Sequence, residues 1–400
     1  MIKKDITSAL TVSFLTIAAG AAFGIWTGVG SLTGILSMAV ASVVGFLFGG
    51  IPVKTSGPTG PTAGLMYAGV IALAEASADP GVYAHILAIS AVIIFLLSFF
   101  PIQKILSHLP YVSLAIFVNG ISLFIIYKQL VKAIDLSSNV WELSIIFGTI
   151  MILFLWPRIS KILNFIPGHS VISGAVFVMA LGGTLNAIFT PEINTLSIEA
   201  LSLDIIFAKM RSLFTVPDIP LLLGTTLIMK TVFIVSLVTT VTARALDKDV
   251  TLSRELRNQA LANASVSLVS GIPVTIGFIR TRVLQRAGGN SPFAGIFTGI
   301  FVTIIIIYLQ GMLELIPTSV FIGILIKAGY SSLDLQVWHD YKSGNGSLVS
   351  LLFVATGSIL IIWQDLVFVF IGSVIIWNTI QLHPSFKRKS IDLKNCPCVG

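Results

Sequence analysis

Residues 50–64 read Gly50-Ile51-Pro52-Val53-Lys54-Thr55-Ser56-Gly57-Pro58-Thr59-Gly60-Pro61-Thr62-Ala63-Gly64 and lie between apolar runs of the kind found in lipid. Two consecutive Gly-Pro-Thr triplets cannot lie in the middle of a helix, because each proline lacks an N–H and each glycine loosens the backbone. Bare backbone cannot face hydrocarbon, so this break has to line a cavity within the protein. A helix that begins inside the membrane directs its positive end and its free N–H groups into that cavity. The stretch therefore predicts a site for a small anion.

The composition is that of a protein embedded in the lipid bilayer. Of its 400 residues, 55% are hydrophobic and only 10% are charged, and the mean hydropathy is +0.98. A soluble domain carries roughly 25% charged residues. The net charge of +7 comes from basic residues in short loops. Such loops indicate membrane orientation, so we expect no nucleic-acid partner.

Apolar runs of spanning or half-spanning length recur along the chain and predict about fourteen membrane segments. They lie at 8–29, 31–50, 58–75, 83–100, 109–127, 141–156, 167–190, 220–243, 256–271, 275–287, 293–311, 316–333, 348–363 and 365–382. The third and the tenth are short and begin at Gly/Pro breaks, after Gly57-Pro58 and after Gly271-Ile272-Pro273. A matched pair of interrupted segments is typical of an inverted-repeat transporter with a site at the membrane midplane.

The predicted fold is therefore an all-α polytopic membrane protein whose third and tenth segments are half-helices. Its parts are a first repeat at 1–190, an extracytoplasmic connecting loop at 191–219, a second repeat at 220–383 and a tail at 384–400. Basic residues collect at the even-numbered segment ends and in the tail, whereas the opposite side holds Lys128, Lys132, Lys209 and Arg211. This bias predicts a protein of the cell membrane with both termini in the cytoplasm.

The first break offers a neutral polar pocket floor. We expect Pro58 at the first helical position, where its missing N–H costs nothing. The free donors are then the N–H groups of Thr59, Gly60 and Thr62, together with the two threonine hydroxyls. The alternative is a proline-kinked helix that packs tightly through small residues.

The second break adds a positive charge. Helical structure is expected to resume near Thr275, a good N-cap residue, which puts Arg280 about one and a half turns into the helix. An arginine at membrane depth costs roughly 2.5–3.5 kcal/mol, so it needs a cavity or a partner. If the two half-helices cross, Arg280 adds positive potential near the anion. The alternative is a cytoplasmic arginine beside Arg282 and Arg286.

Lys230 lies near the centre of the eighth segment, where no partner is obvious from the sequence. All seventeen acidic residues fall in loops or near segment ends, which predicts an interior without carboxylates. Lys230 either contacts the anion directly or is a structural lysine that faces a cavity or an interface. Thr239, nine residues on, lies on the opposite side of the helix, so both cannot face one small site. Coupled carriers usually place an acid in the core, although carbonyls and hydroxyls alone can hold sodium.

Nothing in the sequence predicts catalysis, a metal or a cofactor. The five histidines show neither metal-ligand spacing nor a nucleophile–base pairing, and Cys396 and Cys398 both lie in the tail. A Cys-x-Cys tail is weak support for a metal site or a lipid anchor. A membrane-embedded enzyme is accordingly the least favoured class.

Four motifs, in this order, resemble those of the SulP family, which comprises sulfate permeases and bicarbonate transporters related to mammalian anion exchangers. Ser56-Gly57-Pro58-Thr59-Gly60-Pro61 looks like the family's third-helix signature. Glu255-Leu256-x-x-Gln259-x-x-x-Asn263 is similar to its Glu-Leu-x-x-Gln-Gly-x-x-Asn motif. The other two are Arg280-Thr281 followed by Ala287-Gly288-Gly289 and Ala294-Gly295, and Gly323-Ile324-Leu325-Ile326-Lys327-Ala328-Gly329. The resemblance runs from about Asp5 to Trp338.

The resemblance implies two inverted repeats of seven helices, arranged as a core domain and a gate domain, with the substrate between the third and tenth half-helices. Members of the family often work as dimers with an elevator-like movement of the core, which suggests a homodimer. Carried over by position, the site comprises Phe23, Thr59, Gly60, Pro61, Thr62, Ser236, Thr239, Gly277, Phe278, Ile279 and Arg280.

Three features depart from the family pattern, two of them single positions and one a domain. Ala18 stands where the first helix commonly has a proline. Val235 replaces the eighth-helix carboxylate that is linked to cation coupling in relatives, which argues against Na⁺ or H⁺ symport. Relatives usually end in a cytoplasmic STAS domain, whereas this chain ends shortly after its last segment, so we expect no such domain.

The function that the resemblance implies is secondary transport of a small inorganic anion, with sulfate or bicarbonate favoured, by alternating access. One alternative is a nucleobase or ascorbate permease of the same fold. Those proteins generally use acidic residues in the eighth and tenth helices, where this chain has none. A second alternative is a channel-like protein or a non-transporting anion sensor.

Overall fold

The computed structural model describes residues 2–46, 50–101, 109–136, 139–162, 174–189, 193–198, 201–215, 218–344 and 346–382. The predicted tail at 384–400, with Cys396 and Cys398, lies outside the described residues. The same holds for the first part of the seventh predicted segment.

Helices make up most of the described chain. The first half contains α1 (Ile2–Thr27), α2 (Ser31–Val44), α3 (Gly60–Glu75), α4 (Tyr83–Leu97), α5 (Tyr111–Asp135), α6 (Val140–Ile162) and α7 (Gly174–Phe189). Helix α8 (Leu203–Ser212) follows in the connecting region. The second half contains α9 (Leu221–Leu246), α10 (Leu252–Ser267), α11 (Phe278–Arg286), α12 (Phe293–Glu314), α13 (Thr318–Ser331), α14 (Gln336–Lys342), α15 (Leu348–Leu360) and α16 (Leu366–Leu382).

Each of the predicted segments overlaps one of these helices, while α8 and α14 were not predicted. Among the described residues, five helices are long and apolar enough to cross a membrane, namely α1, α5, α6, α9 and α12. Helices α13 and α14 together make a sixth such unit, bent by 43°. Several other apolar helices are shorter than a full span, α2, α4 and α7 among them. The fold is thus helical and of membrane type, and the count of fourteen spans in two inverted repeats stays a prediction.

The helices contact one another in two groups. Group one consists of α1–α4 and α9–α12, in which α1 packs on α2 and α12, and α10 packs on α2, α4 and α9. Group two consists of α5–α7 and α13–α16, in which α5 packs on α13, α15 and α16. The groups meet chiefly where α3 contacts α5 and where α1 contacts α7 and α13.

The two sequence breaks pair with each other inside group one. Strand β1 (Ser56–Gly57) lies antiparallel to strand β2 (Thr275–Ile276), with Ser56 opposite Ile276 and Gly57 opposite Thr275. Both strands are buried. Their pairing satisfies backbone groups that would otherwise be costly to bury at this depth. Helix α3 begins three residues after β1, and α11 begins two residues after β2, so the pairing brings the starts of both helices together.

Candidate substrate-binding site

Helix α3 begins at Gly60, two residues later than predicted. Its N-cap is Thr59, which has extended backbone angles, and Pro61 lies in the first turn, where its missing N–H costs no hydrogen bond. The prediction that Pro58 occupies the first helical position is therefore wrong, because β1 pairing and the extended cap delay the helix. The Thr59 N–H donates to the Thr62 hydroxyl over 2.9 Å, and the two residues form a capping box. Thr59 thus does not supply the free backbone donor that the sequence suggested, whereas Gly60 N–H, at the first helical position, has no intrahelical acceptor.

Helix α11 begins at Phe278 with Gly277 as its N-cap. The expectation that Thr275 caps this helix is wrong, since Thr275 lies in β2 and its hydroxyl is 3.0 Å from the hydroxyl of Thr59. The first intrahelical bond runs from Thr281 N–H to Gly277 O over 2.8 Å. Glycine offers no side chain to cap the N–H groups of residues 278–280, which remain donors at the positive end of the helix. Ile279 is 51% exposed, so part of this first turn lies at the surface of the described chain.

Arg280 is a buried cation between the two helix starts. It is 7% exposed, and its Nη2 donates to Pro58 O over 3.2 Å. Within the described part of the chain, no carboxylate forms an ion pair with it, and its Nε has no hydrogen-bond partner. A buried charge without a counter-charge is costly, so the site favours an incoming anion. Arg280 is thus more buried than Arg282 and Arg286, while its depth in the membrane stays a prediction.

Two glycines make room for the guanidinium. A Cβ built on Gly57 would lie 3.0 Å from Arg280 Nη2, and one built on Gly277 would lie 2.5 Å from the same atom. Neither glycine has a positive φ, so the reason for glycine here is close approach rather than backbone conformation.

We expect Gly277→Ala to displace Arg280 and to weaken anion binding about tenfold, because the misplaced guanidinium loses one charged hydrogen bond. The change in affinity is measured by the anion-dependent shift in melting temperature. Gly372→Ala is the matched control, since a Cβ at Gly372 meets no atom within 4 Å. Equal affinities in the two variants would contradict the packing role of Gly277.

The other predicted site residues lie on helices that pack against these elements. Helix α9 packs on α3 and β2, and it carries buried hydroxyl oxygens without partners at Ser236 and Thr239. Phe23 is 8% exposed on α1, which contacts α3 and α11. The Phe278 ring lies under the Arg282 guanidinium at 5.4 Å. Unpartnered hydroxyls on α9, backbone N–H groups at the starts of α3 and α11 and the Arg280 guanidinium thus lie on adjoining elements.

Polar side chains on one face of α10 form hydrogen bonds with both of the Gly/Pro breaks. The sequence did not show this structural role. Glu255 accepts the Gly50 N–H over 2.9 Å, and Gln259 donates to the Ser56 hydroxyl over 2.9 Å. Asn263 binds Val274 twice, accepting its N–H and donating to its carbonyl, each over 2.8 Å. Residues 255, 259 and 263 recur every four positions and so share one helix face. That spacing of four residues was the only feature of the sequence that could have indicated this role.

Glu255 also corrects the expectation of an interior without carboxylates. It is fully buried and forms an ion pair with Lys54, which is itself buried. Asp5 and Glu142 are buried too, and Asp5 accepts the Ser291 hydroxyl over 2.6 Å. These residues do lie near segment ends, as predicted. Those ends fold against neighbouring chain rather than water, which the sequence does not show.

Lys230 forms an ion pair with Asp365. Its Nζ lies 2.5 Å from Asp365 Oδ2, with side-chain exposures of 22% and 33%. The second oxygen of Asp365 accepts the Val367 N–H over 3.0 Å and so caps α16. The interpretation that Lys230 lacks an obvious partner is therefore wrong, because the carboxylate comes from a position 135 residues away.

Comparison of sequences links the chain to transport proteins. The model of the sulfate permease family matches residues 2–343. The bicarbonate transporter BicA of Picosynechococcus is 24% identical over 362 residues, which cover 83% of this chain and 62% of BicA. YbaR of Bacillus subtilis, described as a candidate sulfate transporter, is 22% identical over 378 residues, covering 91% of this chain and 74% of YbaR. The chain thus spans less than two thirds of the length of BicA.

Comparison of structures gives the same fold. The transmembrane domain of a cyanobacterial BicA superposes with a TM-score of 0.69 at 19% identity, covering 94% of this chain and 96% of that one. The overall structure of SLC26A9 superposes with a TM-score of 0.78 at 14% identity, covering 95% of this chain and 65% of that one. Together with the family match over most of its length, these findings mean that the chain belongs to the sulfate permease family.

Proposed function

We propose that the protein is a secondary transporter of a small inorganic anion, bound between the starts of α3 and α11 beside Arg280. The observation that carries this proposal is the buried guanidinium with no carboxylate partner in the described chain. Two helix N-termini add positive partial charge at the same place. Such a site lowers the free energy of a bound anion and raises that of a cation.

A small oxyanion fits the donors best. Backbone N–H groups and hydroxyls can surround several oxygens, while the single guanidinium supplies one directional charge. The relatives named as bicarbonate and sulfate transporters support these two anions as substrates. A nucleobase permease of the same fold is the second candidate, but α9 carries no acidic side chain to recognise base N–H groups.

The division into two helix groups supports transport by alternating access. Group one carries the whole site and would act as the core, and group two would act as the gate. Movement of one group past the other would expose the site to each side of the membrane in turn. The repeats at 1–190 and 220–383, the cytoplasmic termini in the cell membrane and the homodimer remain parts of this proposal.

Uptake into proteoliposomes tests the function. We expect saturable uptake of labelled sulfate or bicarbonate, above that of protein-free liposomes and competed by the unlabelled anion. Uptake of a nucleobase without uptake of either anion would overturn the proposal. An anion leak current that does not saturate would instead indicate a channel-like protein.

A further inference from the structure

We propose that the Lys230–Asp365 ion pair is a latch between the two helix groups, which has to open before group one can move past group two. This inference rests on the proposed alternating access. Lys230 belongs to α9 in group one, and Asp365 precedes α16 in group two. The pair therefore joins the group that carries the site to the group that would act as the gate.

Two charged side chains at this position in the helix bundle carry a high free-energy cost, which a purely structural contact would not justify. Lys230 is the tenth residue of α9, about 13 Å from the helix start at 1.5 Å per residue. A charged side chain at such depth is expensive and normally marks a functional element. Each charge offsets the free-energy cost of burying the other. Separating the two helix groups would therefore leave both charges without a partner at once.

A second ion pair in the protein shows the contrast. Lys54 and Glu255 are completely enclosed, and both lie within group one, where they fix the first break to α10. Lys230 and Asp365 are 22% and 33% exposed, so their side chains are not enclosed by the described chain. The enclosed pair is suited to permanent contact, and the partly exposed pair is suited to a contact that forms and breaks.

An aromatic contact one turn along α9 reinforces the latch. The rings of Phe233 on α9 and Phe370 on α16 are 5.5 Å apart. Phe370 also meets Phe117 on α5 at 5.5 Å, which ties it firmly to group two. Charge and aromatic packing therefore join α9 to α16 at adjacent turns.

A separate aromatic cluster surrounds the Tyr67 ring of α3. Trp26 of α1 stacks on Tyr67 of α3 at 5.8 Å, and Tyr67 meets Phe124 of α5 at 6.2 Å. Lys128 Nζ lies 5.5 Å from the centre of the Tyr67 ring. This cluster again joins group one to group two.

Tyr83 links the cluster to the turn of α9 that holds Lys230. Its hydroxyl is 3.3 Å from the hydroxyl of Thr231, and its ring packs on Gly69 of α3. Tyr83 therefore ties α3 to α9 within group one, and the latch and the aromatic cluster both hold these helices to group two.

A reporter cysteine tests the latch without requiring transport. We would replace Ile125, which packs over Gly60 at the start of α3, with cysteine in a chain whose Cys396 and Cys398 are serine. A membrane-impermeant maleimide is then added to either side of oriented vesicles. We expect Lys230→Met and Asp365→Asn to speed labelling about two- to fivefold, from one side only, because a partly exposed ion pair that holds the groups together is lost. The amide oxygen of asparagine at position 365 can still accept the Val367 N–H, so Asp365→Asn keeps the cap of α16.

The conservative variants Lys230→Arg and Asp365→Glu are the matched controls, and we expect them to label at the parental rate. Equal labelling of Lys230→Met and Lys230→Arg would overturn the latch. Faster labelling from both sides would also overturn it, because it would indicate general loosening. A protein that fails to take up anions but keeps this one-sided pattern would contradict the proposed function and leave the latch in place.

Discussion

Arg280→Ala is expected to lower the affinity for the transported anion about 10- to 100-fold, since a hydrogen bond to a charged group contributes roughly 1.5–3 kcal/mol. The guanidinium is the only charge that the structure places between the starts of α3 and α11 within the described chain. The concentration dependence of uptake gives the apparent affinity. An anion-dependent shift in melting temperature gives it independently of transport.

Two variants separate this effect from a general loss of charge. Arg286→Ala removes the same charge from the exposed end of the same helix and should leave the affinity unchanged. Arg280→Lys should give an intermediate affinity, because an ammonium keeps the charge but loses the forked donors. An unchanged affinity in Arg280→Ala would place the anion elsewhere.

Glu255→Leu is expected to cause the largest loss of stability, about 3–5 kcal/mol, because it leaves the Lys54 ammonium buried without a counter-charge. It also removes the acceptor for the Gly50 and Ile51 N–H groups. Lys54→Met should cost less, since Glu255 keeps those two N–H donors and Gln259. Unfolding in detergent, followed by melting temperature or denaturant, measures the difference.

Exposed residues of the same types supply the controls for this comparison. Glu75→Gln at the end of α3 and Lys4→Met near the start of α1 alter exposed charges and should shift stability by less than about 0.5 kcal/mol. If Glu255→Leu were no more destabilising than Glu75→Gln, α10 would not be holding the first break through this carboxylate.

The positions of the helices could be predicted from the sequence, because a segment that crosses lipid has to be a long apolar run. Every predicted segment overlaps a helix, including the two short ones that begin at breaks. Apolar runs and Gly/Pro interruptions are local signals, and the membrane leaves few alternatives to a helix for an apolar run. Arg280 was also predicted to lie near the start of the second half-helix, since its distance from the second break is a local count of residues.

Contacts between distant parts of the chain could not be predicted from the sequence. The pairing of β1 with β2 joins residues 56 and 276, and it moved the starts of α3 and α11 two or three residues beyond the predicted ones. The ion pairs of Lys54 and Lys230 span 201 and 135 positions. A single sequence carries no local trace of such partners. Burial of Glu255 at a segment end likewise depends on what folds against it.

Structures determined with sulfate and with bicarbonate test the central claim most directly. The anion that is taken up should appear within hydrogen-bond distance of the Arg280 guanidinium and the Gly60 N–H, between residues 59–62 and 277–280. Density for that anion only at another place in the protein, with residues 59–62 and 277–280 free of it, would contradict the account.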